Sequence, residues 1–310
     1  MTACWSCGQP LKNTESLYHA GCLKKLFGRG TPPVLELTAS NLAAQAVALS
    51  PQMSISGVQP KFSLRLNARK NILEPTAAGG EYILKPQTQD FPHLPENENL
   101  CMALAQEAGL NVPPHALLKL TDGTLAYVVK RFDRDKRQKI HQEDFQQILN
   151  LNVRDKYQGS YEQIGRKLRE LSTAPGLDAQ LFYETVLFSF IIGNGDAHTK
   201  NFSLQYLAGG ERRLSPVYDL VSSRLVIPGE KSEMALTLNS RQNNIREKDF
   251  QSLADYLKIP RSAPVNRALA YLEKFTALIN NNNTLSRNYK TALSNIMRER
   301  VSRFTSQERR

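Results

Sequence analysis

Long apolar runs are missing from this chain, and cysteine and tryptophan are scarce, at four and one in 310 residues. No segment approaches the roughly 20 consecutive apolar residues that span a bilayer. The start, MTACWSCGQPLK, has neither the basic n-region nor the apolar h-region of a signal peptide. The expected location is the cytoplasm. Four cysteines are too few for a disulfide framework in a chain of this size, which leaves thiols or metal ligation. Acidic residues are in deficit: 29 against 40 basic ones give a net charge of +11 and a pI near 9.5. That balance favours polyanionic company, such as nucleotide phosphates, nucleic acid or an acidic protein surface, without choosing among them. No internal repeat is present. With 41% hydrophobic and 22% charged residues the chain is not disordered, and its length suffices for two lobes.

The scarce cysteines are not scattered. Cys4 and Cys7 form a C-x2-C pair, and His19 and Cys22 an H-x2-C pair, with eleven residues between the pairs. This is knuckle-like spacing for four tetrahedral Zn2+ ligands, and a site filled by four protein ligands is structural. The alternative is reduced, unliganded thiols on a small hairpin.

After a Pro-containing linker at Thr31 to Pro33 and an Ala-rich stretch of helical character, LTASNLAAQAVALS, the chain reads MSISGVQPKFSLRLN. Phe62, Leu64 and Leu66 alternate with polar neighbours as on a half-buried strand, behind a polar turn containing Ser54, Ser56, Gly57 and Pro60. GEYILKP is a second strand with Lys85 near its end. ENENLCMALAQEAGL is a helix with Glu98 near its start and Gly109 as its stop, and TLAYVVKRFDR is a third strand. Together these predict a small α+β lobe. From about Asp135 helical patterns dominate: HQEDFQQILNL, SYEQIGRKLRELS, DAQLFYETVLFSFII, KDFQSLADYLKI and NRALAYLEKFTALINNNN. A hairpin around Gly209 and Gly210 interrupts them. The run Asn280 to Asn283 is expected to be a loop, and MRERVSRFTSQERR a solvated basic helix face.

The segment FIIGNGDAHTKNFSL gathers Asp196, His198, Lys200 and Asn201 within six residues at the mouth of an apolar run. Phosphoryl transfer needs a carboxylate for the attacking hydroxyl, oxygen ligands for Mg2+, and cations along the phosphates. Asp196-x4-Asn201 has kinase catalytic-loop spacing, and Asp219 in VYDLVSS, eighteen residues beyond Asn201, stands where a second metal-binding carboxylate is expected. Lys85 and Glu98 supply a phosphate cation and its ion-pair partner. Each signal has a plainer reading. A D-x4-N pair arises by chance about once in a chain this long. Asp219 suits a turn, Lys85 a solvated strand end, and His198 a loop brace for Asp196. The order of the elements gives the joint reading its weight.

In that order, SISGVQPKFSL, YILKP, NENLCMALAQEAGL, VVKRFDR, HQEDFQQIL, IIGNGDAHTKNFSL and LSPVYDLVSS resemble the HipA family of bacterial serine/threonine kinases, the toxins of toxin–antitoxin modules. The resemblance runs from about Ser54 to the C-terminal helices. It implies an α+β, two-lobed protein-kinase-like fold related to lipid kinases, with residues 31–134 as N-lobe and 135–310 as mainly helical C-lobe behind a Cys/His segment at 1–30. It implies ATP and Mg2+ as cofactors, Asp196 as catalytic base, and Asn201 and Asp219 as metal ligands. Lys85 is then the phosphate-contacting lysine and Lys61 the lysine closing a phosphate loop that includes Ser54, Ser56, Gly57 and Val58. Val129, Lys130, Arg131 and Phe132 fall at the adenine-binding connector, and His198 and Lys200 lie on the ATP side of the catalytic loop.

Long members carry an N-terminal subdomain before the phosphate loop that is longer than the stretch preceding Ser54 here. The chain therefore resembles the short HipT type. In that type a separate small protein supplies the missing subdomain, alongside a helix-turn-helix DNA-binding antitoxin, so DNA contact is indirect. The S-I-S opening, Ser54 and Ser56, is the short-type pattern and implies two autophosphorylation sites. A phosphoryl group there adds about −1.5 to −2 charges and would repel the triphosphate. The implied target is an aminoacyl-tRNA synthetase. Two other functions compete: a lipid or small-molecule kinase, since D-x-H-x-x-N also resembles the lipid-kinase loop, and a catalytically silent, zinc-bearing nucleic-acid-binding module suited to the +11 charge.

Overall fold

The computed structural model describes residues 2–13, 15–38, 40–42, 59–135, 138–227, 229–260 and 263–305. Ser54, Ser56, Gly57 and Val58, and most of the Ala-rich stretch before them, lie outside the described residues. The chain divides into two compact units. The first comprises residues 1–103, 113–139 and 281–285, and the second residues 104–112, 140–280 and 286–310.

The first unit is built on a five-stranded antiparallel sheet ordered β2-β1-β3-β5-β4, with β1 Phe62–Asn67, β2 Ile72–Pro75, β3 Tyr82–Pro86, β4 His115–Lys119 and β5 Leu125–Lys130. The three strands read from the sequence are β1, β3 and β5. The four-residue β2 and the uniformly buried first residues of β4 offered no alternation to read. The core of this unit joins Phe62, Leu64, Tyr82, Leu84, Leu118 and Val128 of the sheet to Cys4, Tyr18, Leu23 and Leu26 of the Cys/His segment. That segment carries helix α1, Ala20–Phe27, which closes on Gly28 at φ 74°. Helix α2, Leu94–Glu107, stops as expected at Gly109, whose φ of 87° is left-handed. The Leu110 and Gly109 amides return to the Ala105 and Gln106 carbonyls, the bonding of a Schellman motif. In the same unit β6, Arg134–Asp135, pairs antiparallel with β7, Gln138–Lys139.

In the second unit the HQEDFQQIL segment is not one helix. His141–Asp144 is strand β8, paired antiparallel to β9, Ser203–Tyr206, and only Phe145–Ile148 is helical, as α3. Asp144 divides the two, because its side chain accepts the Gln147 amide at 2.9 Å while Gln147 Oε1 accepts the Asp144 amide at 3.0 Å, a capping box. The hairpin expected around Gly209 is present, with β10, Arg212–Leu214, completing the sheet β10-β9-β8. Helices α4 (Tyr161–Leu171), α5 (Pro175–Ile191), α6 (Ser223–Val226), α7 (Glu247–Leu257), α8 (Ala263–Asn281) and α9 (Arg287–Thr305) supply the rest. Helix α5 is buried almost all round, as expected of a core helix. Its buried Asp178 accepts from Ser172 Oγ, Arg213 and the Leu214 amide, tying β10 to the helix start.

Two C-terminal expectations are corrected. Helix α8 continues through Asn281, so the asparagine run is not a loop until Asn282, whose side chain accepts the Thr284 and Leu285 amides. As far as Thr305 the basic tail is a packed helix, because Met297, Val301 and Phe304 are buried on α9 and Phe304 joins Phe190 and Phe250 in an aromatic cluster. Arg300 is 1% exposed, 4.5 Å from the Phe190 ring centroid and 3.7 Å from Glu233, while Arg303 holds Glu233 more closely at 2.8 Å. Burial pushes the Arg300 pKa down to about 10. A buried charge paired at that distance costs about as much as it returns. Arg300→Met is accordingly expected to leave stability unchanged or raise it by about 1–4 kcal/mol, and Glu233→Ala to lower it by about 3–5 kcal/mol. Urea midpoints at constant m-value check both.

Candidate active site

The loop carrying Asp196 begins as the cap of a buried helix. At the end of α5 the Asn194 amide donates to the Ser189 carbonyl and the Gly193 amide to the Phe190 carbonyl, with Gly193 at φ 74°, a second Schellman motif. The next glycine answers a different need: a Cβ on Gly195 would stand 2.6 Å from the Ser232 carbonyl oxygen. Asn194 Oδ1 then accepts the Asp196 amide at 3.1 Å, and the Asp196 carbonyl accepts the His198 amide at 2.8 Å. A 3-10 turn over Thr199–Asn201 follows, in which Asn201 Oδ1 accepts the His198 amide at 3.0 Å.

Surrounding elements pin this loop. Both the amide and the hydroxyl of Thr199 donate to the Lys156 carbonyl, and Tyr161 Oη donates to the Ala197 carbonyl. The β9–β10 hairpin then returns the chain so that Tyr218 Oη donates to the Lys200 carbonyl at 2.6 Å. Asp219 follows at once, with its charge felt at His198. Asp219 has φ 55°, a left-handed conformation uncommon for a residue with a side chain and concentrated at functional sites. Asp196, His198, Lys200, Asn201 and Asp219 are thus brought together within the second unit. Asp196, Asn201 and Asp219 are half-buried and offer the hard oxygen donors that suit Mg2+.

His198 is buried, and its Nδ1 has no hydrogen-bond partner among the described residues. Burial lowers its pKa to about 4 against the opposing charge of Asp196, so the ring is neutral at pH 7. Two further residues were invisible in the sequence. Tyr157 Oη donates to Asp196 Oδ1 at 2.5 Å, its ring meeting His198 edge-on at 5.2 Å, and Tyr218 fastens the Asp219 segment. Tyr157 lies 39 positions before its partner and in no pattern that spacing exposes.

In the first unit, Lys85 Nζ and Glu98 Oε1 are 2.5 Å apart and both residues are buried, so Lys85 is not a solvated strand end. Lys85 also lies 5.6 Å from the ring centroid of Tyr127, its cross-strand neighbour on β5. Lys61 is half-buried immediately before β1. Val129 and Lys130 end β5, and Arg131 and Phe132 follow, where the Arg131 amide donates to the Glu81 carbonyl and its guanidinium grips Asp133 at 2.7 and 2.9 Å. Cys4, Cys7, His19 and Cys22 offer ligand atoms that all lie within 4.8 Å of one another.

Residues 53–281 match the family model of the HipA-like C-terminal domain. The chain belongs to that family. Among its relatives, a protein of Haemophilus influenzae named "Putative kinase" is 32% identical over 69% of this chain and 66% of its own length. Another kinase-named relative, from Sinorhizobium fredii, is 33% identical over 73% of this chain and 59% of its own. The serine/threonine-protein kinase toxin HipA of Shewanella oneidensis is 27% identical over 68% and 53% respectively. The HipA-like chain therefore spans between about half and two-thirds of these relatives. Among solved structures, the Shewanella oneidensis HipA, HipB and operator DNA complex superposes with a TM-score of 0.70 at 23% identity, over 87% of this chain and 71% of that one. The Helicobacter pylori proinflammatory kinase CtkA superposes at 0.56 and 15% identity, over 82% and 92%. The α+β fold of the HipA-like chain is thus that of HipA and related kinases.

The neutral His198 has a measurable consequence. Its folded pKa lies below the ordinary 6.5, so the unfolded chain takes up a proton first as pH falls, and stability is lost between about pH 6.5 and 4. His198→Asn is expected to flatten that part of the stability–pH curve by about 1–3 kcal/mol, read from urea unfolding at pH 7 and pH 4.5.

Proposed function

We propose that this chain is an ATP- and Mg2+-dependent serine/threonine protein kinase acting as the toxin of a bacterial toxin–antitoxin pair. The observation that carries the reading is the assembly of Asp196, Asn201 and the left-handed Asp219 on one braced loop system in a chain of the HipA-like family. Asp196 accepts the proton of the attacking hydroxyl, which takes over the hydrogen bond now made by Tyr157. The hydroxyl oxygen bonds to the γ-phosphorus as the bond to the β-phosphate oxygen breaks and ADP leaves. Mg2+, held by Asn201 and Asp219, would neutralise charge on the phosphates. Lys85, fixed by Glu98, contacts phosphate oxygens. Lys61 and the Ser54–Val58 loop cover the phosphates, Val129 to Phe132 receive the adenine, and His198 and Lys200 line the ATP side. The two compact units are read as the kinase lobes.

Ser54 and Ser56 are the proposed autophosphorylation sites, and their S-I-S pattern supports the short HipT type, with a small subdomain-like protein as partner. The similar Shewanella oneidensis HipA is in complex with HipB and operator DNA, which supports a DNA-binding antitoxin as partner, read here as the helix-turn-helix type. The protein target is read as an aminoacyl-tRNA synthetase and the compartment as the cytoplasm; among the described residues no helix is long and apolar enough to cross a membrane.

Incubation of the purified chain with ATP and Mg2+, followed by peptide mass spectrometry, is expected to place phosphate on Ser54 or Ser56. Asp196→Gln and Asp219→Gln should each reduce it by at least about 10²–10³-fold, the scale of a lost transition-state contact. Full phosphorylation in either variant contradicts the assignment.

A further inference from the structure

The phosphotransfer reading leaves the Cys/His segment unused, yet its residues are arranged for a metal and for the sheet together. Cys7 Sγ and His19 Nδ1 are 3.4 Å apart, and all four ligand atoms fall within 4.8 Å. A tetrahedral centre with Zn–S of about 2.3 Å and Zn–N of about 2.0 Å would place such atoms roughly 3.5–3.8 Å apart. All four cysteines of the chain are free of disulfides. His19 Nε2 lies 3.1 Å from the Pro10 carbonyl, so donating there leaves Nδ1 as the ligating nitrogen, the outer hydrogen bond usual for a metal-bound histidine. Cys4 Sγ accepts the His19 amide at 3.3 Å, and Gly8, at φ 72°, closes the first pair by donating to the Cys4 carbonyl.

What this cluster holds is the outer edge of the sheet. β4 is the terminal strand in the order β2-β1-β3-β5-β4, and an open edge invites pairing with other chains. Its polar groups are met instead by residues lying between or beside the four candidate ligands. The Leu117 amide donates to the Trp5 carbonyl at 2.9 Å, Tyr18 Oη donates to the Leu117 carbonyl at 2.7 Å, and Ser6 Oγ donates to the His115 carbonyl at 2.6 Å. Leu117 is in register with Tyr127 of β5, and Tyr127 with Lys85 of β3. The His115 side chain reaches Asn99 at 3.0 Å on α2, next to Glu98. One row across three strands therefore links the cluster to the Lys85–Glu98 pair.

We propose that Cys4, Cys7, His19 and Cys22 bind one structural Zn2+ whose role is to cap the β4 edge, and thereby to hold the row that ends at Lys85. The link to phosphate contact rests on the kinase reading, whereas the metal site and the cap do not.

The test uses the full chain. Elemental analysis is expected to give one zinc per chain, replaceable by Co2+ with the visible bands of a tetrahedral thiolate site, and Cys7→Ser/Cys22→Ser should lose it. Hydrogen exchange at the Leu117 amide should accelerate at least tenfold when zinc is chelated from the folded wild type, while the Ile192 amide of the second unit stays protected. Chelation gives this readout even if the double variant does not fold. A chain that neither carries zinc nor takes it up overturns the site, and a zinc-bearing chain whose Leu117 exchange ignores chelation overturns the cap. Neither readout involves ATP, so both are independent of whether the kinase reading stands.

Discussion

A helix buried on nearly every side has to end, and its last carbonyls must be satisfied where water cannot reach them. The loop carrying Asp196 in the second unit depends on how α5 meets that constraint. Gly193 reverses the chain by adopting a left-handed conformation, the Asn194 and Gly193 amides satisfy the Ser189 and Phe190 carbonyls, and Gly195 passes where no Cβ fits. The polar residues that follow are held by backbone hydrogen bonds before any ligand arrives. Positioning of this kind is the main contribution a protein makes to phosphoryl transfer.

Bracing continues outward. The Lys156 carbonyl, Tyr161 and Tyr218 fix the loop from three separate segments, and the short β9–β10 hairpin brings Asp219, eighteen positions beyond Asn201 in sequence, back beside the loop. In the first unit, a desolvated ion pair, Lys85 with Glu98, depends on the geometry of one strand and one helix. Removing either partner would take this ion pair from a charged group that stays buried.

Much of this was legible because it is local. The D-x4-N spacing, the alternation of β1 and the period of α2 are patterns within a dozen residues. What was missed is either short or non-local. β2 and β4 lack alternation, and β8 was hidden because His141–Asp144 precedes a helical run without a break, the boundary being made by one capping aspartate. Tyr157 reaches Asp196 across 39 positions, a contact that only tertiary structure creates. The C-terminal helix misled for a related reason: its charges suggested solvent, but burial of Arg300 depends on Phe190 and Glu233, which lie far away in sequence. The Cys/His spacing was legible as a candidate metal site, whereas its bearing on the sheet edge was not, since Leu117 lies about a hundred positions away.

That Asp219 is a metal ligand for a bound nucleotide is the proposed basis of Mg2+-dependent ATP binding. It is tested most directly by calorimetric titration of ATP into wild type and Asp219→Asn, with Mg2+ and with the metal chelated. Mg2+ is expected to strengthen ATP binding to the wild type by tenfold or more and to leave the variant near the wild type's metal-free affinity. Equal strengthening by Mg2+ in both proteins would contradict it.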